Sequence, residues 1–297
     1  MKLTNKQKLP QPIYEAICND GYDVDQQDLK TISCTTLISP PKIRLLRARH
    51  WDKIEEDASD KFWILIGQSI HSVLERSEDG ARLKEERITS QFKDKIVSGK
   101  TDLYEDGVLS DYKVTSVWSI VHAPQGKPEW VNQLNVLAYL FRNIGFEVNE
   151  LRINAILRDW QKTKAFKDDS YPRIPFASIK IPIWTFEEQR KYIEERVNFH
   201  ASCEGLLDDN IPICTPEERW TTENKYAVYK NKNKTATKLC VTEEEAEKYI
   251  ETADPKQKWR IELRKGEDKR CKDYCQVNQF CNYYKSKETK CKKKPKK

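Results

Sequence analysis

Residues 99–116, GKTDLYEDGVLSDYKVTS, constrain the fold of this chain more than any other stretch. The pair Asp106-Gly107 is a turn signal, because aspartate and glycine tolerate the backbone angles that tight hairpin turns require. The residues on either side of it alternate between apolar and polar. This pattern predicts a β-hairpin with one strand over 96–104 and its partner over 108–114.

The predicted hairpin brings acidic and basic side chains together. Side chains alternate along a strand, so Asp111 and Lys113 share one face while Tyr112 points to the other. Asp102 is contributed by the first strand. Two carboxylates that can bind Mg²⁺ or Mn²⁺, beside an ammonium group, are the groups that metal-assisted phosphodiester hydrolysis needs. The alternative is a solvated hairpin with ordinary surface charge.

Two helices and one strand flank the hairpin. An apolar-periodic segment over 59–76 predicts an amphipathic helix that carries His71. A lone helical histidine is usually structural, but this one precedes a strand pair with suitable acids. Glu86 starts a predicted strand and is either a further ligand or a surface residue. A second apolar helix is predicted over 130–144, with Gln133 as a polar residue in it.

The order of these motifs resembles a known enzyme family. Helix with His, strand, G-x-x-D, D-x-K and helix with Gln follow one another as in the RecB-like branch of the PD-(D/E)XK nuclease superfamily. The similarity is closest to phage-encoded members and to the CRISPR-associated exonucleases that carry an iron–sulfur cluster, and it covers residues 32–281. It implies an α/β fold, with a restriction-endonuclease-like core of a mixed central sheet flanked by helices and a C-terminal lobe in which cysteines bind a metal.

The resemblance also implies roles for the hairpin residues. His71, Asp102 and Asp111 correspond to the ligands of Mg²⁺ or Mn²⁺, with the backbone carbonyl of Tyr112 as a further ligand. Lys113 corresponds to the catalytic lysine that assists the attacking water.

Three further positions bear on that comparison. Gln133 corresponds to the glutamine that the family has in the helix after the D-x-K strand, and it is a candidate catalytic residue. Glu86 is a further candidate ligand. The family usually has a tyrosine four residues after this glutamine, where the present chain has Leu137.

Nine cysteines point to metal binding, because disulfides are rare in the reducing cytosol. Cys271, Cys275 and Cys281 lie within eleven residues and can reach one centre. A closed site needs a fourth thiolate. Cys214 is the first candidate and Cys34 the second. Zinc and three metal-free reduced thiols both remain open on the spacing alone, whereas the family resemblance favours a [4Fe–4S] cluster.

The net charge of +6 comes from the end of the chain. Residues 285–297 contain eight lysines and one glutamate, so the rest of the chain is close to neutral. This polycationic tail is predicted to be disordered, either as a salt-sensitive contact to nucleic-acid phosphates or as a solubilising end. No apolar run approaches twenty residues, which excludes a membrane span, and a cytoplasmic location is expected (the host cytoplasm for a phage protein).

The composition and motif order predict four segments. These are an N-terminal extension over 1–29, the nuclease core over 30–200, a C-terminal lobe with the cysteine cluster over 201–284 and a disordered basic tail over 285–297.

The expected function is a divalent-metal-dependent DNA exonuclease in recombination, repair or end-processing. Its substrate would be DNA with a free end, and a recombinase, a single-strand-binding protein or a helicase is the expected protein partner. One alternative is a non-catalytic DNA-binding accessory protein that keeps the nuclease fold. Another is a zinc-stabilised interaction module, which explains the cysteines but not the acidic hairpin.

Overall fold

The chain divides into two compact units, Met1–Pro212 and Ile213–Lys297. The computed structural model describes residues 1–19, 28–76, 83 and 86–292, with side chains as far as residue 287. The end of the predicted N-terminal extension, 20–27, and the end of the predicted tail, 293–297, lie outside the described residues.

Both units combine helices and strands, so the architecture is mixed α/β. The strands are β1 (Lys2–Thr4), β2 (Thr31–Ser33), β3 (Glu55–Asp57), β4 (Arg87–Phe92), β5 (Lys95–Lys100), β6 (Leu103–Glu105), β7 (Val108–Thr115), β8 (Glu150–Leu157), β9 (Phe176–Ile181), β10 (Lys225–Lys230), β11 (Lys238–Cys240) and β12 (Trp259–Arg264). The α-helices are α1 (Gln11–Cys18), α2 (Cys34–Leu37), α3 (Pro41–Arg49), α4 (Phe62–Glu75), α5 (Val117–Val121), α6 (Pro128–Asn143), α7 (Lys162–Ala165), α8 (Phe186–Cys203), α9 (Glu243–Glu251) and α10 (Asn282–Lys292).

The sheets of the first unit mix parallel and antiparallel pairs. One sheet has the order β6–β7–β8–β9, in which only the β7–β8 pair is parallel. A second sheet has the order β2–β5–β4, with β2 parallel and β4 antiparallel to β5. Strands β1 and β3 form a separate parallel pair. The parallel β7–β8 pair requires a long crossover, which α5 and α6 provide.

The predicted hairpin is confirmed at its turn but not along its first strand. Glu105 pairs with Val108 across Asp106-Gly107, and both turn residues have the positive φ of a two-residue hairpin turn, 47° and 79°. The prediction of one strand over 96–104 is wrong. The chain bends at Thr101 and Asp102, so that β5 and β6 belong to different sheets. The Asp102 carboxylate accepts the Tyr112 backbone N–H at 2.7 Å, in place of a ladder partner.

Helix α6 is the centre of the hydrophobic core of the first unit. Nine of its residues are buried, among them Leu134, Leu137 and Phe141, and they pack against strands of both sheets and against α8. Gly99 on β5 allows this close approach, because a Cβ atom there would lie 2.4 Å from Leu137 Cδ2. Position 137 is therefore a packing position in this chain.

A cluster of buried charges joins α3 to the C-terminal end of α8. Arg44 Nη1 lies 2.9 Å from Glu204 Oε1, and Lys95 Nζ lies 2.6 Å from Glu204 Oε2. The Arg44 and Lys95 side chains are only 5% and 7% exposed. Lys42, also buried, donates from Nζ to two main-chain oxygens of the segment after α8, at 3.0 and 2.9 Å. One carboxylate thus compensates two buried cations.

The second unit is an antiparallel sheet, β11–β10–β12, covered on one face by α9. Outside the sheet, the Asp268 carboxylate accepts hydrogen bonds from Arg219, Thr221, Tyr283 and Lys287. Burial raises the pKa of this carboxyl, but these donors outweigh it and hold the pKa well below its usual range. Asp268 therefore connects three separate stretches of this unit.

The prediction that 285–297 is disordered is wrong for its first residues. Helix α10 continues to Lys292. Tyr283 Oη and Lys287 Nζ lie four residues apart on it and donate to the same Asp268 oxygen at 2.9 and 2.8 Å. The lysine-rich composition of the tail does not indicate this contact, because the acceptor, Asp268, lies outside the tail.

In the part of the chain that the structure describes, every helix is too short or too polar to cross a membrane.

Candidate active site

Asp111, Lys113 and Gln133 form a connected polar group. Asp111 and Lys113 lie on one face of β7, as predicted, and α6 places Gln133 above them. The Gln133 amide donates from Nε2 to Asp111 Oδ1 at 3.0 Å and accepts from Lys113 Nζ at Oε1 over 3.3 Å. Lys113 Nζ also lies 2.7 Å from Asp111 Oδ2. The strand and the helix together hold a carboxylate and an ammonium group in fixed contact.

The Asp111 carboxylate is buried in this arrangement. Its side chain is 6% exposed, and Oδ2 accepts no hydrogen bond of good geometry from any described residue. The ion pair with Lys113 is the contact that Oδ2 does make. A buried carboxylate oxygen with an incomplete set of hydrogen bonds is available to a cation.

Asp102 reaches the same place from the bend between β5 and β6. Its Oδ2 atom accepts the Tyr112 N–H, and its Oδ1 atom lies 3.5 Å from His71 Nδ1. Burial, followed by the neighbouring Asp111 charge, raises the pKa of Asp102 to about 7, although His71 acts to lower it. A carboxyl group whose pKa is raised by burial and by a neighbouring carboxylate is a common feature of functional sites.

His71 approaches from α4. Its ring meets the Tyr112 ring edge to face, with centroids 6.2 Å apart and an interplanar angle of 88°. The N–H and C=O of a strand residue point to the same side, so the Tyr112 carbonyl also faces the Asp102 side of β7. Glu86 is exposed and directly precedes β4, and its main-chain oxygen accepts the Thr101 N–H at 3.1 Å.

The donor set fits a divalent cation in its chemistry. Imidazole nitrogen, two carboxylates and a carbonyl oxygen are ligands for Mg²⁺ or Mn²⁺, and Asp111 Oδ2 is a buried acceptor. Within the residues that the structure describes, however, no three His, Cys, Asp or Glu side chains are arranged so that they could hold a metal ion as they stand. The metal site stays a prediction.

The raised pKa of Asp102 has a consequence for stability in a metal-free buffer. The folded-state pKa of about 7 lies above the model value of 3.8, so the folded state binds the extra proton between these values. The contribution of this group to stability is fully present below about pH 4 and is lost as the pH rises through about 7. We expect Asp102→Asn, which keeps an acceptor for Tyr112, to unfold at a higher temperature than the wild type at pH 8 in EDTA.

The gain in unfolding temperature should shrink towards pH 4, since there both proteins carry a neutral side chain at position 102. Asp168→Asn is the control, because hydrogen bonds from Ser170 hold the pKa of Asp168 below its usual range. Thermal unfolding of the three proteins across this pH range is the measurement. A constant offset between Asp102→Asn and the wild type would contradict the expectation.

Three of the predicted thiolate ligands follow one another closely in the second unit. Cys271 lies in a short π-helix, Arg270–Tyr274, and its main-chain oxygen accepts a hydrogen bond from Asn278 Nδ2 at 2.9 Å. Asn278 N donates to the Cys275 oxygen at 3.2 Å, and Cys281 N donates to the Asn278 oxygen at 3.0 Å. Asn278 thus ties the three cysteines into one turn.

Cys214 is attached to this turn through Arg219. Arg219 donates from Nη1 to the Cys214 oxygen, and its own main-chain oxygen accepts the Arg270 N–H at 3.0 Å. Burial raises the pKa of the Cys214 thiol to about 12, with smaller contributions from Glu218 and from the three other cysteines. The other three cysteines are thus near enough to affect the Cys214 thiol, and a metal centre shared by the four stays a prediction.

Cys34, the second candidate, lies in the core of the first unit. Its thiol is buried beside Gly99, and burial raises its pKa to about 12. These surroundings are those of a packing residue.

Nothing in the sequence singled out a group of exposed aromatic residues near β7. Trp63 of α4 lies beneath the Arg158 guanidinium, 4.3 Å from the ring centroid, and Trp118 of α5 stacks on His122 at 5.4 Å. A sequence pattern assigns apolar residues of helices to the core, so only the structure reveals that these two are exposed.

No protein-family model and no curated protein matches this chain. Among solved structures it is similar to the crystal structure of SSO0001, at 15% identity and a TM-score of 0.42, over 63% of this chain and 83% of that chain. It is also similar to an alkaline exonuclease (LHK-Exo) from Laribacter hongkongensis, at 12% identity and a TM-score of 0.37, over 59% of this chain and 87% of that chain.

Proposed function

We propose that this chain is a divalent-metal-dependent nuclease with a restriction-endonuclease-like core that hydrolyses DNA from a free end. One observation carries the proposal: β7, α6 and the bend before β6 bring Asp111, Lys113, Gln133 and Asp102 together. A protein that only binds DNA has no need of a carboxyl group such as Asp102, whose pKa is raised by burial and by the neighbouring Asp111 carboxylate.

A divalent cation held by His71, Asp102, Asp111 and the Tyr112 carbonyl would supply a Lewis acid that activates water and offsets phosphate charge. The chain's own groups provide positioning. Gln133 holds the Asp111 carboxylate by donating from its Nε2 atom, and it holds the Lys113 ammonium group by accepting at its Oε1 atom. The Lys113 side chain is 28% exposed, so Nζ can donate to a water or to a phosphate oxygen of the substrate.

The test is a nuclease assay on end-labelled and circular DNA, with Mg²⁺, with Mn²⁺ and with EDTA. Release of labelled products from linear DNA only, abolished by EDTA, supports an exonuclease. Cleavage of circles shows an endonuclease. Binding without cleavage in both metals contradicts the enzyme and favours the DNA-binding accessory protein.

We further propose that Cys214, Cys271, Cys275 and Cys281 hold a [4Fe–4S] cluster in the second unit. Support comes from the contacts through Asn278 and Arg219 that bring four cysteines to one turn region. A site closed by ligands that are distant in sequence contributes its binding free energy to folding.

Protein purified without oxygen should therefore be brown and contain iron and sulfide. Cys275→Ser and Cys214→Ser should lose the colour and unfold at a lower temperature, whereas Cys34→Ser should keep the colour. Elemental analysis and the visible spectrum are the measurements. Zinc without iron would replace the cluster by a zinc site, and the absence of any bound metal would refute both.

A further inference from the structure

Three strongly exposed aromatic side chains lie around one end of the sheet, and we call them the aromatic rim. They are Trp63 of α4, Trp118 of α5 and Phe166 directly after α7, which are 56%, 44% and 77% exposed. Exposed apolar side chains that cluster, unlike single ones, are typical of a contact surface.

The rim lies at the carboxyl end of the strands that carry the candidate active site. Trp118 follows β7 at once, and Thr115, the last residue of β7, comes two residues after Lys113, about 7 Å along a strand. Thr115 pairs with the end of β8, and the Arg158 N–H donates to the Thr115 oxygen at 3.0 Å. The Arg158 side chain in turn lies over Trp63.

Helix α4 connects the rim to the active site from the other side. His71 lies beside Asp102 and Tyr112, and Trp63 lies two turns earlier in the same helix, beside Arg158. The carboxylates and the rim are therefore two ends of one surface formed by α4 and the end of β7.

Positive charge accompanies the aromatic rings. Residues 158–167, RDWQKTKAFK, contain four lysines and arginines and one aspartate. The basic side chains Arg158, Lys162 and Lys164 are exposed. The aspartate, Asp159, is engaged by the Val117 N–H at 2.7 Å. The segment thus presents cations around an aromatic ring.

The rim is held in place by contacts below it. Trp118 meets the buried Tyr171 edge to face at 6.4 Å, and Tyr171 Oη accepts the Gln161 N–H at 3.0 Å. Ala165 is buried in the core next to Phe166. Pre-ordered aromatic side chains lose little entropy when a ligand stacks on them.

We propose that the aromatic rim binds a single strand of nucleic acid, whose bases stack on Trp63 and Trp118 while Arg158, Lys162 and Lys164 contact its phosphates. The inference rests on the proposed function and adds to it a substrate form. Aromatic rings interleaved with cations are what single-strand binding requires, since every base has a stacking face and every nucleotide a phosphate. In a duplex the bases are already stacked, so duplex DNA cannot use the rim in this way.

The test is binding of a short single strand that carries 2-aminopurine near one end, in EDTA so that no hydrolysis occurs. The wild type should bind and quench the fluorescence of the base. Trp63→Ala and Trp118→Ala should each bind about 5- to 100-fold more weakly and lose the quenching. Trp63→Phe and Trp118→Phe should restore most of both, because a ring is retained.

Phe199→Ala is the matched control. Phe199 is also an exposed aromatic residue with an arginine over its ring, Arg196 at 5.7 Å, but it lies on α8. The Phe199→Ala variant should bind the single strand with wild-type affinity and quench its fluorescence to the same extent. The double variant Lys162→Ala/Lys164→Ala should keep the quenching but show a salt dependence shallower by about 1.4 log units per log unit of salt.

Wild-type affinity in both tryptophan-to-alanine variants would overturn the proposal. A change of sedimentation coefficient in these variants would also overturn it, by showing that a second copy of the chain covers the rim. The binding result is separate from cleavage: a wild type that quenches but never cleaves in Mg²⁺ or Mn²⁺ refutes the nuclease and leaves the rim standing.

Discussion

Replacing Asp111 by asparagine or Lys113 by methionine should reduce DNA cleavage by a factor of about 10³ or more, while the protein stays folded. Asp111 supplies a buried negative charge and Lys113 the ammonium group beside it, and groups of this kind typically contribute factors of about 10² to 10⁴ in rate. Asparagine and methionine keep the approximate volume, so the effect reports charge and not packing. Initial cleavage rates at saturating Mg²⁺ are the measurement, with circular dichroism to show that the fold is intact.

Lys180→Met is the matched control for this prediction. Lys180 also forms an ion pair on the same sheet, with Glu150 Oε2 at 3.0 Å, but it is largely exposed and belongs to β9. Its replacement should leave the cleavage rate unchanged. Full activity in purified Asp111→Asn or Lys113→Met would remove that residue from the catalytic machinery.

Glu204→Gln should destabilise the first unit by about 3 kcal/mol, because it removes the carboxylate that pairs closely with both Arg44 and Lys95. The other carboxylate near Lys95, Asp94, is 3.7 Å away and largely exposed. The Leu29 oxygen accepts a hydrogen bond from each of these cations, at 2.7 and 3.1 Å, but a carbonyl dipole does not replace a full charge. Urea denaturation of wild type and variant measures the difference, which should appear in the midpoint and not in the slope.

Glu194→Gln provides the comparison on the same helix. Glu194 pairs with Arg190 at 2.9 Å, but both side chains are about half exposed, so water already solvates them. This variant should unfold at the wild-type urea concentration. Equal midpoints for Glu204→Gln and the wild type would show that the buried cations are solvated in some other way.

Helices α6 and α8 could be predicted from the sequence because most of the residues that they bury are apolar and recur with helical periodicity. The predicted helix over 130–144 is α6, Pro128–Asn143, and the apolar periodicity of residues 187–203 likewise predicts a helix, which is α8, Phe186–Cys203. Proline at the first helical position and the capping box of Thr185 and Glu188 mark their starts. Periodicity and end signals agree in both cases.

Helix α3 could not be predicted in this way. It buries Lys42 and Arg44 together with Leu45 and Leu46, so charged residues occupy core positions and no apolar face is visible in the sequence. The acceptors that offset the loss of hydration of these buried charges, such as Glu204, come from a distant part of the chain. Only tertiary contacts reveal it.

The candidate site shows the same division. The shared face of Asp111 and Lys113 follows from strand alternation and is confirmed by their common contact with Gln133. The bend that carries Asp102 out of the strand could not be predicted. In a regular hairpin the Tyr112 N–H would donate to a main-chain oxygen of the partner strand, but here it donates to the Asp102 carboxylate. The alternation of apolar and polar residues does not indicate where a side chain replaces a main-chain oxygen as the hydrogen-bond acceptor.

Helix α4 has a consequence for how the site works over time. None of its residues from Phe62 to Glu75 is buried, whereas nine of the sixteen residues of α6, which also packs on β7, are buried. Segments with few buried contacts open locally at a free energy well below that of global unfolding. His71 can therefore move away while Asp111, Lys113 and Gln133 stay in place. The site therefore has a stable part, Asp111, Lys113 and Gln133, and a part on α4 that can open. The apparent affinity of a ligand that needs both parts is reduced in proportion to the fraction of molecules in which they are in contact.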